Sequence, residues 1–113
     1  MIYWIDVFDG SSIMTSFFAE LVHTDNGKQC SDVEGFMDLS TAQECSSALV
    51  LDYARTFKSN ARYLYETLYG SYPNGCIIID YAANAFNGAM FFNTHPTGAR
   101  HSNYRNICRK GNT

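Results

Sequence analysis

The sequence predicts an α+β domain: one main helix packed on a small antiparallel sheet, stapled by two disulfides. Three observations carry this expectation. The stretch "LSTAQECSSALVLDYARTF" opens on a capping signal and repeats apolar residues at a helical period. The runs "CIIIDY" and "AMFFN" are apolar, and the loop "AANAFNG" between them makes a hairpin. Four cysteines, an even set, are spread through the chain with no C-x-x-C spacing.

Each element has its own warrant. "MIYWIDVF" is rich in β-branched and aromatic residues and precedes "DGSS", so it reads as a strand ending in a turn. Ile13, Phe17 and Leu21 recur at i, i+4, i+8, with Met14, Phe18 and Val22 beside them. That spacing predicts a short helix capped by Ser11 or Ser12. "HTDNGKQ" is a turn, and residues 30–39 read as irregular. In the main helix Ser40 is the expected N-cap, with Gln43 completing the box. Ala42, Cys45, Ala48, Leu49, Tyr53, Ala54 and Phe57 form its apolar face. "ARYLYETLY" reads as a strand with Tyr63, Tyr65, Thr67 and Tyr69 on one face, or as a second helix capped by Ser59 or Asn60. "GSYPNG" is a turn, set by Pro73 and Gly75. The sheet so assembled has three to five strands.

A chain of 113 residues is one domain, 1–113. It divides into an N-terminal apolar segment, 1–29, and a cysteine-bearing module, 30–111. Composition is globular: 46% hydrophobic and 15% aromatic. The net charge of −3, with eight Lys and Arg, offers no basic stripe for a nucleic acid. Arg100, Arg105, Arg109 and Lys110 gather near the C-terminus, and a solvated tail is a better reading of them than a phosphate site. No stretch reaches the roughly eighteen apolar residues of a membrane span. The first 22 residues carry Asp6, Asp9 and Glu20 and no basic n-region, so they read as folded structure and not as a signal peptide.

Two disulfides are the natural reading of Cys30, Cys45, Cys76 and Cys108; four free thiols and a scattered metal site are the alternatives. Three pairings are open, and spacing does not choose among them. The pairing we expect is Cys30 with Cys108, tethering the C-terminal polar segment, and Cys45 with Cys76, pinning the helix to a strand. Disulfides imply an oxidising compartment. With no targeting segment in view, that asks for a processed or truncated piece of a longer precursor, or a recombinant product.

"ECSSALVL", "YPNGCIIIDY", "AMFFNTHPTGARHSN" and "NICRKG" together resemble an uncharacterised small cysteine-pattern domain of microalgal and marine protist proteins. Its members read C-x-x-A-A, then P-x-G-C-[YF], then [VF]-[YF]-F-N-T-x-x-T-G, then I-C. Cys45, Ala48, Pro73, Gly75, Cys76, Phe91 to Thr94, Thr97, Gly98, Ile107 and Cys108 match, within 30–111. The chain departs after Ser46-Ser47-Ala48, where a double alanine is usual and only Ala48 is present, and at Ile77, where an aromatic is common. The resemblance implies a lumenal or otherwise oxidising setting and supplies no catalytic residues.

The functional expectation is a non-enzymatic structural or assembly module with a protein partner in a larger complex. Its sharpest form is a lumenal or extracellular accessory subunit of an algal photosynthetic membrane complex, an extension by analogy. A secreted glycan-binding module and an enzyme of unrecognised type are the alternatives. No cofactor, metal or catalytic residue is assigned. Six of the eight tyrosines lie between Tyr53 and Tyr81. Tyr63, Tyr65 and Tyr69 are the candidate contact residues, with Trp4 and Phe17 in the N-terminal segment and Arg100 near the C-terminus. The polar run Asn93–Asn106 is expected to fold on itself through side chain–backbone bonds, anchored by Cys108. His95 and His101 read as exposed loop histidines, against a metal site with Asp80 or a thiol site with Cys108. Asp80 reads as a strand-end acid bonded to loop amides.

Overall fold

The computed structural model describes the backbone of residues 2–8 and 14–111 and the side chains of residues 20–111. Seven strands form one mixed sheet: β1 (Ile2–Phe8), β2 (Met14–His23), β3 (Phe36–Asp38), β4 (Arg62–Thr67), β5 (Gly75–Ile79), β6 (Ala89–Asn93) and β7 (Tyr104–Lys110). Six of them run in the order β1-β2-β7-β5-β6-β4, and β3 pairs with β7 off this path. Every pairing is antiparallel except β4 with β6. Two short helices, α1 (Ala42–Cys45) and α2 (Ala48–Ala54), pack on one face.

Strand β5 is central and buried along its whole length, which is why its sequence is an unbroken apolar run. Side chains alternate between faces along a strand. Cys76 and Ile78 therefore join Met90, Phe92 and Ile107 under the helices, with Cys45, Val50, Tyr53 and Ala54. Ile77 and Ile79 join Ala89 and Tyr104 on the opposite face, flanked by Tyr72 and Phe91.

The disulfides are Cys30–Cys108 and Cys45–Cys76, as expected, with Cα–Cα separations of 5.8 and 5.4 Å. Cys76 is on the helical face; Cys108, one residue past Ile107, is on the other. Each bridge therefore clamps a different layer onto the sheet. Cys45 brings down α1, and Cys30, in a 3-10 turn at Cys30–Asp32, closes the opposite side. The loops closed span 78 and 31 residues. In the chain-entropy picture each bridge is worth about 4 kcal/mol.

Three local readings are corrected. The spacing of Ile13, Phe17 and Leu21 belongs to strand β2, not to a helix; Ile13, Ser11 and Ser12 themselves lie outside the described residues. A spacing of four is also a multiple of two, so the pattern fits a strand as well as a helix. Pairing with β1 on one side and β7 on the other decides it. Residues 30–39, read as irregular, contain the 3-10 turn and β3.

The main helix is broken in two. Thr41, not Ser40, is the N-cap: its Oγ1 accepts from Glu44 N at 3.1 Å, and Glu44 Oε1 accepts from Ser40 N at 3.0 Å. Ser47 Oγ then donates to Glu44 O at 2.7 Å and accepts from Val50 N at 3.3 Å, ending α1 and starting α2. The break re-phases the second helix, so Val50 is buried while Ala48 and Leu49 are exposed.

Candidate functional site

The helix-free face of the sheet carries a shelf of aromatic rings, built from β4, β6, β7 and the loops that follow β4 and β6. Tyr65 lies against Phe91 with ring centroids 5.1 Å apart. Tyr69 meets Tyr72 edge-on at 5.3 Å, and Tyr72 lies 4.7 Å from Tyr104. His101 closes the cluster, 5.6 Å from Tyr72 and 5.0 Å from Tyr104. Exposure grades across it: Tyr104 is 7% exposed, Tyr69 50% and Tyr65 54%. Burial, and then the neighbouring Tyr72 hydroxyl, push the Tyr104 phenol well above its usual range. The inner rings are thus the floor of the shelf and the outer tyrosines its accessible rim. Leu68 is also exposed.

Tyr63, Tyr65 and Tyr69 do not share one face. Tyr63 pairs with Met90 and Tyr65 with Phe91, so Leu64 is an extra residue in β4. This bulge reverses the alternation. Tyr63 packs against the helical core, where burial and then Glu66 raise its phenol. Tyr65 faces the shelf. The tyrosine pattern read at a period of two could not reveal an inserted residue. Sequence reading also missed Tyr72, Phe91, Tyr104 and His101. Phe91 was within reach through its place between Met90 and Phe92 on β6.

The loop between β6 and β7 folds on itself, as its composition suggests. Buried Asn93 ties it to the turn before β5: its Nδ2 donates to Tyr69 O and Pro73 O, both at 2.8 Å, and its Oδ1 accepts from Tyr69 N at 3.0 Å. His95 Nδ1 accepts from Gly98 N at 2.9 Å and Thr97 N at 3.3 Å. His101 Nδ1 accepts from Asn103 N at 3.2 Å. Both histidines are half-buried organisers of the loop, not exposed bystanders. Gly98, at φ 57°, lets the loop approach so closely that a Cβ would lie 2.5 Å from Asn74 N.

The remaining candidates are placed elsewhere. Arg100 grips Asp32 with a two-pronged contact, its Nε 2.8 Å from Oδ2, and so ties the loop to the 3-10 turn. The Arg100 contact, and then the Gln29 backbone N–H, hold the Asp32 carboxyl below its usual value. Trp4 and Phe17 lie in β1 and β2, where Trp4 pairs with Phe18 and Phe17 with Ile5; their side chains lie outside the described residues.

Asp80 is not simply amide-bonded. Its carboxylate sits between Lys58 and Arg105, each at 2.5 Å. Burial pushes its acid up, but the two cations outweigh that and hold it below the usual range. Neither histidine considered with Asp80 for a metal contacts it, and no metal-holding group of three His, Cys, Asp or Glu occurs among the described residues. Cys108 is committed to Cys30, so the Cys–His pair has no thiol. Among the described residues no helix is long and apolar enough to cross a membrane. No protein-family model matches the chain, and no curated protein or solved structure matches it.

Proposed function

We propose that this chain is a non-enzymatic assembly module whose aromatic shelf docks a protein partner within a larger complex. The observation that supports it is the pair of half-exposed rings, Tyr65 and Tyr69, standing on the partly buried rings of Phe91 and Tyr72. Tyrosine offers large contact area at low entropic cost and a hydroxyl for the wet rim, and such rings are enriched among binding hot spots. Two buried disulfides fit an oxidising compartment, where such bonds form and persist. Together with the microalgal resemblance, this supports reading the chain as a lumenal or extracellular accessory subunit, in its sharpest form one of a photosynthetic membrane complex.

The test is to exchange Tyr65→Ala and Tyr69→Ala together and follow co-migration with the complex. The reading expects release of the chain while its melting transition is retained, since both rings are half exposed. Retention of the double variant in the complex contradicts it.

A second reading rests on the same two rings: exposed tyrosines are stacking platforms for sugar rings. A glycan array then shows retention of the parent and none of the double variant. Absence of retention by the parent removes this reading.

A further inference from the structure

Strand β1 is one edge of the sheet, and among the described strands it pairs with β2 alone. The other edge, β4, is guarded as natural edges are. It carries the Leu64 bulge, the charged residues Arg62 and Glu66, and a tie from Arg62 Nη1 to Asn87 O at 3.1 Å. Strand β1 has no bulge and fewer charges. Its seven residues pair in unbroken register, with no Pro, Lys or Arg, and Asp6 is its one charge.

The segment also lacks neighbours beyond its own hairpin. Strand β2 pairs with β7 only through Glu20–His23. From Met14 to Ala19 it pairs with β1 alone among the described strands. Here the sheet narrows to a two-stranded ribbon, and such a ribbon is marginal in water until more strands join it.

We infer that β1 is a homodimerisation edge: two copies pair β1 to β1, antiparallel across a two-fold axis, giving one sheet through both chains. The ribbons then become a four-stranded layer, β2-β1-β1-β2. A two-fold requires a self-complementary edge, and an antiparallel strand pair supplies one. The register is specified. Centred on Ile5, all seven residues pair, Asp6 falls opposite Trp4 of the second copy, and the like charges are kept apart. Centred on Asp6, the two carboxylates would face each other, which is destabilising. The inference does not depend on the assembly reading, because it names a different edge and a second copy as the occupant.

Sedimentation of the purified chain at about 100 μM tests it, with two variants at the two-fold centre. The parent is expected at twice the 12.7 kDa of one chain. Ile5→Lys, which sets like charges opposite each other, is expected to be monomeric with a retained melting transition. Under oxidised glutathione Ile5→Cys is expected to yield a covalent dimer, and Val7→Cys, which falls opposite Tyr3, is not. A monomeric parent overturns the inference. So does a dimeric parent whose Ile5→Cys variant stays uncrosslinked, and this arm holds even if Ile5→Lys fails to fold.

Discussion

Asp38 closes directly on Gly75. Strand β3 ends where β5 begins, in one line along β7: Asp38 pairs with Cys108 and Cys76 with Ile107. A Cβ on Gly75 would lie 2.8 Å from Asp38 Oδ1, and Gly75 holds φ at 85°. Gly75→Ala is therefore expected to destabilise the fold by about 2 kcal/mol or more, from left-handed strain and the steric conflict together. Thermal melting measures it. Asp38→Ala in the same chain should recover part of the loss by clearing the contact.

Asp38 itself is a cost at neutral pH. Asn74 Nδ2 donates to its Oδ2 at 3.3 Å, while its Oδ1 is buried without a hydrogen bond. Burial raises the acid above its ordinary value, and the Asn74 bond opposes this only in part. The folded state thus holds the proton more tightly than the unfolded chain. Stability from this group is full below about pH 4 and falls as pH rises through the folded value. Asp38→Asn is expected to raise the melting temperature at pH 7 and to leave it nearly unchanged at pH 3. An equal loss at both would refute the assignment.

His23 titrates with the opposite sense. Its ring stacks on Phe57 with centroids 3.9 Å apart, and its Nδ1 lies 2.6 Å from the Tyr53 hydroxyl. Burial, followed by Arg105, lowers its affinity for a proton. Stability from neutral His23 is present above about pH 6.5 and is lost as pH falls through the lower folded value. His23→Phe is expected to flatten the stability profile between pH 7 and 5, at a cost of about 1 kcal/mol for the Tyr53 bond. A slope unchanged in the variant would assign it to another group.

Each disulfide holds a different face. Cys45→Ala with Cys76→Ala should lower the melting temperature by roughly 15 °C and release helical signal first. Cys30→Ala with Cys108→Ala should cost a similar amount and expose Tyr72 and Tyr104, read by near-ultraviolet dichroism. Identical spectral changes from both pairs would contradict the two-faced arrangement.

The sequence made some of this legible for physical reasons. The run at Ile77, Ile78 and Ile79 is typical of a strand covered on both faces, and the even cysteine set pointed to bridges. What stayed hidden was set by tertiary pairing. Phe17 and Leu21 satisfy helical and strand periods alike, and only pairing chooses between them: Phe17 with Ile5 of β1, Leu21 with Arg109 of β7. Ser46 and Ser47 sit inside an apolar period but bond to the backbone and restart the helix. Leu64 looks like any strand residue, yet as the inserted one it sends Tyr63 and Tyr65 to opposite faces. The shelf is drawn from distant positions, Tyr65, Tyr72, Phe91 and Tyr104, so no local window could contain it.

The native size of the chain in a gentle extract of its source, parent beside the Tyr65→Ala/Tyr69→Ala variant, tests the assembly reading most directly. The account predicts that the parent migrates with a large complex and that the variant leaves it while still folded. A parent that runs free, near the 12.7 kDa of one chain or at twice that mass as a dimer, would contradict it.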